Sequence, residues 1–137
     1  MTAAVSPANV DSPCVAIVDD DASVRRALSR LLRAAGLEGR CFESGDELLA
    51  ALPGLSPGCV VLDLHMPGLC GLQLQQRLQQ DRPGLPVIAL TGQHTVATED
   101  QCYRLGAAAC LAKPVDASVL LMTIRQSARR YREAARR

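Results

Sequence analysis

The chain has 137 residues, of which 48% are hydrophobic, and its 15 Lys and Arg residues nearly balance its 14 Asp and Glu residues. This size and composition are typical of one globular domain, and a formal net charge of +1 excludes both an acidic disordered chain and a strongly basic nucleic-acid binder. No apolar run approaches the roughly 18 residues of a membrane helix, and residues 1–12 lack the basic start and apolar stretch of a signal peptide. We therefore expect neither membrane insertion nor export.

Six cysteines could form a disulfide framework, but none of them belongs to a CxxC pair and no signal peptide accompanies them. Cys14, Cys59 and Cys110 lie in or beside apolar runs, where a free thiol packs as a small hydrophobic group. A zinc site is not expected, because His65 and His94 have no cysteine at ligand spacing. These features favour a cytoplasmic protein with reduced thiols.

Short aliphatic runs alternate with longer helix-like segments, which is the pattern of a parallel sheet with crossover helices. Residues 1–12 precede the first run and are predicted to be a flexible leader. The predicted strands are residues 14–18, 39–42, 59–62, 87–90 and 108–112.

The first two helices have clear signals. Between Val24 and Ala35 apolar residues recur at helical spacing, with four arginines outside that face, and Gly36 stands where a helix ends. The second helix opens with Ser44 and Glu47, a capping-box spacing in which each side chain can bond the other's free backbone donor. Its predicted buried side consists of Leu48, Leu49 and Leu52.

The remaining three helices have weaker apolar patterns. The third, residues 70–81, carries Leu74 and Leu78 among many glutamines, which we interpret as a solvated face. The fourth, residues 95–105, has the poorest apolar stripe, which indicates either marginal stability or a surface that awaits a partner. The fifth begins at Asp116 as its N-cap and ends in a run of arginines. Leu120, Ile124, Ser127 and Tyr131 are predicted to lie on one side of this helix.

Five strand–helix units predict an α/β fold: a single flavodoxin-like, doubly wound domain whose five-stranded parallel sheet has the order 2-1-3-4-5 and carries five helices. The domain is expected to span residues 13–130, with residues 131–137 as a basic helix end or the start of a linker. In such sheets the working site lies beyond the carboxyl ends of the strands.

Polar residues follow the predicted strands at that edge. They are Asp19, Asp20 and Asp21 after the first strand, Asp63 after the third, Thr91 after the fourth and Lys113 after the fifth. Clustered carboxylates repel one another, and a hard divalent cation such as Mg²⁺ would neutralise them while leaving coordination positions free for phosphate. For phosphoryl transfer, Asp63 is the best-placed nucleophile, and Lys113 and Thr91 can meet the phosphoryl oxygens.

Four motifs at these strand ends resemble the receiver domain of two-component response regulators. They are Val18-Asp19-Asp20-Asp21, Val60-Val61-Leu62-Asp63-Leu64-His65-Met66-Pro67-Gly68, Ala89-Leu90-Thr91-Gly92 and Ala112-Lys113-Pro114. The likeness spans about residues 13–130. It implies that Asp63 is the phospho-acceptor, Thr91 the switch hydroxyl and Lys113 the phosphate partner.

The resemblance also implies a metal site. A Mg²⁺ or Mn²⁺ ion would be held by Asp20, Asp63 and the backbone carbonyl of His65, and Asp19 would act through a water molecule. The peptide bond before Pro114 is expected to be cis.

Three neighbouring residues keep two interpretations each. Asp21 is either a helix-capping or solvated acid, which we favour, or a metal ligand. His65 and Gln93 are either exposed loop residues or side chains that flank the phosphoryl group and tune its lifetime.

Two positions depart from the family pattern. An aromatic residue usually stands three positions before the lysine and reports phosphorylation by its rotamer, but here that position is Cys110. Val115 likewise stands where an aromatic residue commonly follows the proline. Signalling is therefore expected to run through Thr91 and the loop to the fourth helix, or to be muted. Both changes place a smaller side chain on the face of helix 4, strand 5 and helix 5, where family members dimerise or dock output domains.

The favoured hypothesis is a receiver module that takes a phosphoryl group from a sensor histidine kinase, a phosphotransfer protein or a small phosphodonor, and then changes its binding to a partner. Its only chemistry would be self-catalysed phosphoryl acceptance and autodephosphorylation, and this domain would contact neither nucleic acid nor membrane. The chain is expected to be either a stand-alone receiver or the input half of a longer regulator, and the segment from Thr91 to Pro114 is similar to receivers of LuxR-type regulators.

Two alternatives stay open. One is a pseudo-receiver that only mediates protein contacts, to which Cys110 lends weight. The other is an aspartate-nucleophile phosphatase, which would need a second acid two residues after Asp63, where His65 stands.

Overall fold

The computed structural model describes residues 14–66, 71–93 and 95–135. The predicted leader, the motif residues Pro67 and Gly68, the predicted helix start at residue 70, His94 and the last two arginines lie outside the described residues. Every predicted strand is confirmed to within one residue at each end. The elements in chain order are β1 (Cys14–Val18), α1 (Ala22–Ala34), β2 (Glu38–Phe42), α2 (Gly45–Ala51) with a 3-10 turn (Leu52–Gly54), β3 (Cys59–Asp63), α3 (Gly71–Asp81), β4 (Val87–Thr91), α4 (Val96–Arg104), β5 (Ala109–Ala112) and α5 (Ala117–Ala135).

The strands form one parallel sheet in the order β2-β1-β3-β4-β5, which confirms the predicted flavodoxin-like topology. The central strand β3 is buried along its whole length, as expected where helices cover both faces of a sheet. Val18 lies opposite Leu62, and Asp63 lies opposite Leu90, one residue before Thr91. The carboxyl ends of β1, β3 and β4 therefore meet at one edge of the sheet.

Alternate strand residues face opposite sides and build two apolar layers, because successive side chains of a strand point in opposite directions. One layer packs against α2 and α3 and includes Ala16, Val18, Val60, Leu62, Leu48, Leu74 and Leu78. The other packs against α1 and α5 and includes Val15, Ile17, Val61, Ile88, Leu28, Leu32, Leu120 and Ile124. This division is the physical basis of the doubly wound architecture.

Side-chain caps define where the helices begin. Asp21 accepts from the Ser23 N–H at 2.9 Å and caps α1, as favoured above. At α2 the Ser44 hydroxyl accepts from the Glu47 N–H at 3.1 Å, which confirms half of the capping box. The reciprocal half is wrong, because the Glu47 carboxylate accepts from the Glu43 N–H at 3.5 Å instead of that of Ser44. Asp116 caps α5 through the Val119 N–H at 3.0 Å.

The glutamine face of α3 is corrected at one position. Gln75 is only 1% exposed, and its side-chain amide donates to the backbone carbonyl of Cys102 at 2.7 Å. That carbonyl lies near the end of α4 and also accepts from the Ala107 N–H. Gln75 is therefore a buried tie between α3 and α4 and does not belong to a solvated face.

The described cysteines are free thiols, as predicted. Cys59 and Cys110 are buried, Cys14 is half-buried, and Cys102, which the apolar pattern did not single out, is fully buried. Burial raises the pKa of the Cys59 thiol to about 12, so this group packs as a neutral hydrophobe. In the described part of the chain, no helix combines the length and apolarity needed to cross a bilayer.

Candidate functional site

Three carboxylates gather at the carboxyl edge of the sheet. One oxygen from each of Asp19, Asp20 and Asp63 lies within 4.8 Å of the others. Asp19 and Asp63 are 2% and 6% exposed, whereas Asp20 is exposed to solvent. β1 and β3 are neighbours in register, so the residues that follow Val18 and Leu62 are brought together by the sheet itself.

Lys113 faces this cluster from the end of β5. Its ammonium lies 3.3 Å from Asp19 Oδ2 and 3.4 Å from Asp63 Oδ2. Its backbone N–H donates to the Thr91 carbonyl at 2.8 Å, which fixes the start of the side chain beside β4. The bond between Lys113 and Pro114 is cis, as the resemblance implied.

The cluster shifts the proton affinities of its members. Burial raises the pKa of Asp19 above its usual value, although the Asp21 N–H and the Lys113 ammonium oppose the rise. Burial acts to lower the pKa of Lys113, but attraction to Asp19 and Asp63 outweighs it, and that pKa lies above the ordinary lysine value. Lys113 is therefore an ammonium at neutral pH.

The donor set fits a hard divalent cation. Asp19, Asp20 and Asp63 offer only oxygen ligands, which Mg²⁺ and Mn²⁺ prefer over nitrogen and sulfur ligands. Three acids against one contacting lysine leave negative charge that a divalent ion would neutralise. Asp21 contributes no oxygen to this cluster, because its side chain caps α1.

The Thr91 hydroxyl is fully buried at the end of β4 and has two partners. The His65 imidazole Nε2 lies 2.9 Å from Thr91 Oγ1, and the Gln93 N–H donates to the same oxygen at 3.0 Å. The His65 N–H donates to Asp63 Oδ1 at 3.0 Å. His65 thus touches both the central acid and the hydroxyl, while for Gln93 the contact comes from the backbone.

Cys110 occupies the position where the resemblance to receiver domains implies an aromatic residue. It is buried in β5, and its backbone N–H donates to the Tyr103 hydroxyl at 3.2 Å. Tyr103 lies in the last turn of α4 and is 46% exposed. An aromatic side chain from the neighbouring helix therefore lies against β5, which no local pattern in the sequence indicated.

Arg25 is a second residue that the sequence did not single out. It is one of the four arginines outside the predicted apolar face of α1, yet one of its guanidinium nitrogens donates to the Asp19 carbonyl at 2.7 Å. Its side chain is only 14% exposed.

The profile of the response regulator receiver domain family matches residues 15–125. Transcriptional regulatory protein FixJ from Bradyrhizobium diazoefficiens is 38% identical over 120 residues, which cover 88% of this chain and 58% of FixJ. DNA-binding transcriptional regulator NtrC from Salmonella typhimurium is 38% identical over 117 residues, which cover 85% of this chain and 25% of NtrC. This chain therefore spans just over half of one of these relatives and a quarter of the other.

The fold is likewise shared with solved structures. A response regulator receiver domain protein from Clostridium thermocellum superposes with a TM-score of 0.84 at 26% sequence identity, over 89% of this chain and 98% of that one. The family match includes the acid cluster, Thr91 and Lys113 and extends from β1 into α5. The chain therefore belongs to the response regulator receiver domain family of two-component systems.

Proposed function

We propose that Asp63 accepts a phosphoryl group from a sensor histidine kinase, a phosphotransfer protein or a small phosphodonor, and that the aspartyl phosphate alters binding to a partner. The observation that carries this proposal is the juxtaposition of a nearly buried Asp63 carboxylate with the Lys113 ammonium at 3.4 Å. Asp63 is also next to a buried hydroxyl at the end of β4, because Thr91 follows its register partner Leu90.

In the proposed step an Asp63 oxygen attacks phosphorus, the bond from phosphorus to the donor's leaving group breaks, and a mixed anhydride forms. The leaving group takes the electron pair, and no oxidant or reductant is needed. Asp63 Oδ1 is held by the His65 N–H and Oδ2 by Lys113, so the carboxylate is already oriented.

As the anhydride forms, the carboxylate loses its negative charge and the ammonium of Lys113 is free to pair with a phosphoryl oxygen. The Thr91 hydroxyl can donate to another phosphoryl oxygen. Asp19, Asp20 and Asp63, with the backbone carbonyl of His65, are the proposed holders of Mg²⁺ or Mn²⁺, with Asp19 acting through a water molecule. When bound, that ion neutralises charge on the carboxylates and the phosphoryl oxygens.

His65 and Gln93 are proposed to tune the lifetime of the aspartyl phosphate. The His65 imidazole lies beside the Thr91 hydroxyl. From there it would limit the space through which water approaches the phosphorus of the aspartyl phosphate. Gln93 is exposed, and its backbone N–H holds the Thr91 oxygen from the loop side.

The signal is proposed to leave the site through Thr91, residues 92–93 and α4. The phosphoryl group would bind the same Thr91 hydroxyl that accepts from the Gln93 N–H. α4 has one buried residue, Cys102, so it is the helix that is least tied to the core among those described. Its contact with β5 through Tyr103 would carry the movement to Cys110.

The face of α4, β5 and α5 is proposed as the surface for a second copy or an output domain. Four large apolar side chains are exposed on these two helices, which supports a partner there. They are Val96, Tyr103, Val119 and Met122. We propose that the receiver spans residues 13–130 and that residues 131–137 are a helix end or the start of a linker. We also propose that the protein is cytoplasmic and that this domain makes no contact with DNA.

The receiver is not a classical enzyme, and the phosphatase alternative is disfavoured because His65 stands where that chemistry needs a second acid. The test is the mass of the intact protein after incubation with acetyl phosphate and Mg²⁺. We expect one base-labile phosphoryl adduct that is lost with EDTA and in Asp63→Asn. Sustained turnover of external phosphoesters would instead support a phosphatase, and no adduct on folded, metal-loaded protein would support a pseudo-receiver.

A further inference from the structure

The three acids of the cluster are not equally well held. The Asp19 carboxylate accepts from the Asp21 N–H at 2.9 Å and pairs with Lys113, and the Asp63 carboxylate accepts from the His65 N–H and pairs with the same lysine. Within residues 14–66, 71–93 and 95–135, the Asp20 carboxylate has no hydrogen bond or ion pair. The direction of Asp20 therefore depends on its backbone.

Arg25 is hydrogen-bonded to that backbone. Its Nη1 donates to the Asp19 carbonyl at 2.7 Å, which is a short, charge-assisted hydrogen bond. The Asp19 carbonyl and the Asp20 N–H belong to one planar peptide unit. Fixing the carbonyl therefore fixes the plane from which the Asp20 side chain departs.

The guanidinium is itself anchored from a second strand. Its Nη2 lies 3.5 Å from the Glu43 carboxylate, directly after β2. The Arg25 side chain is 14% exposed, whereas the Glu43 side chain is 71% exposed, so the arginine is packed and the glutamate is its outer support. Arg25 thereby connects the loop after β1 to the loop after β2.

We infer that Arg25 is a positioning residue that aims Asp20 into the carboxylate cluster for binding a divalent cation. This inference rests on the proposed function, because it assigns a role in the metal site of the phospho-acceptor. Residues that hold the ligands of a metal commonly change affinity by ten- to a hundredfold when they are removed.

The sign of the effect separates positioning from simple electrostatics. A fixed positive charge near the acids repels a cation, so loss of the Arg25 charge alone would strengthen Mg²⁺ binding. Loss of the hydrogen bond to the Asp19 carbonyl would instead let Asp20 leave the cluster and weaken binding. Arg26 provides the matched control, since it is the next residue of α1, is exposed and carries the same charge.

The experiment is a calorimetric Mg²⁺ titration of the whole chain and of Arg25→Gln, Arg25→Lys and Arg26→Gln, with thermal melts in EDTA to verify folding. We expect Arg25→Gln to raise the dissociation constant about tenfold. Arg25→Lys keeps the charge but loses the fork, so it should show a smaller loss, and Arg26→Gln should stay within about twofold of the wild type. At saturating Mg²⁺ the labelling rate of Arg25→Gln should return to that of the wild type.

A double-mutant cycle with Asp20→Asn tests the route. If Arg25 acts through Asp20, Arg25→Gln should cause little further loss of Mg²⁺ affinity once Asp20 is already replaced. Equal Mg²⁺ affinities for Arg25→Gln and Arg26→Gln, or additive losses in the cycle, would overturn the inference. A wild-type chain that binds no Mg²⁺ would overturn it together with the proposed function. If the wild type binds Mg²⁺ and is labelled, a negative result for Arg25→Gln concerns the role of Arg25 alone.

Discussion

Replacing Lys113 with methionine removes the cation that faces two buried carboxylates, and we expect the folded state to lose stability until metal or protons take its place. Lys113 Nζ lies 3.3 Å from Asp19 Oδ2 and 3.4 Å from Asp63 Oδ2. The two acids are 2% and 6% exposed, so water cannot compensate them fully. Methionine retains most of the apolar stem, and the change therefore isolates the charge.

The magnitude follows from the exposure of the partners. A hydrogen bond to a charged group contributes roughly 1.5–3 kcal/mol. The Lys113 side chain is 30% exposed, so solvent screens part of its charge, and the pair of contacts should together contribute about 2 kcal/mol. For a domain of this size, that loss lowers the melting temperature by about 8 °C.

The pH dependence has a definite sign. The pKa of Asp19 in the folded state already lies above its unfolded value because of burial, so protonation of this group favours the folded state. Loss of Lys113 raises that pKa further, and the stability deficit of Lys113→Met should shrink as pH falls from about 7 toward 5. In the wild type, the raised pKa of Lys113 means that its contribution is fully present below its ordinary value near 10.5 and is lost as pH rises through the higher pKa of the folded state.

The assay is urea unfolding followed by circular dichroism, in EDTA and in Mg²⁺, at both pH values. The matched control is Arg104→Met, which removes an exposed ion pair with Asp100 at 2.9 Å and should cost under about 0.5 kcal/mol. A Lys113→Met variant as stable as the wild type in EDTA at neutral pH would refute the reasoning. A deficit that neither Mg²⁺ nor acid reduces would refute it as well.

Three further predictions concern Asp63, His65 and Tyr103. Asp63→Asn should abolish labelling by acetyl phosphate. Because it removes one of three crowded carboxylates, it should also raise the free energy of unfolding in EDTA by about 1 kcal/mol, measured by urea unfolding. A loss of stability would contradict this prediction. His65→Leu frees the Thr91 hydroxyl from a 2.9 Å contact with the imidazole and should speed labelling about fivefold at saturating Mg²⁺. The factor corresponds to one net hydrogen bond of about 1 kcal/mol. An unchanged or slower rate of labelling would argue against the contact. Tyr103→Phe removes the acceptor of the Cys110 N–H, so exchange of that amide, measured by NMR, should accelerate about fivefold while that of Leu111 changes little; equal protection would show that the hydroxyl does not hold β5.

Much of the site could be predicted from the sequence for a simple geometric reason. Buried parallel strands appear as short aliphatic runs, and their carboxyl ends share one edge, so the residues directly after the runs meet in space. Asp19, Asp63, Thr91 and Lys113 each follow a run, and the structure brings them together. The sequence also predicted the helix caps at Ser44 and Asp116, because a cap and its donor lie within one helical turn.

The sequence alone therefore determined the order of strands and helices and the apolar faces, because both depend on neighbours within a few residues. It also determined the members of the acid cluster, because the carboxyl ends of parallel strands share one edge of the sheet. Only the tertiary structure decided the partners across the chain. The Gln75 side chain donates to the Cys102 carbonyl, and the Tyr103 hydroxyl accepts from the Cys110 N–H on the edge strand. The Arg25 guanidinium donates to the Asp19 carbonyl. The spacing of apolar residues along a helix indicates which face is buried. It does not indicate whether a polar side chain on that helix contacts water or a buried carbonyl.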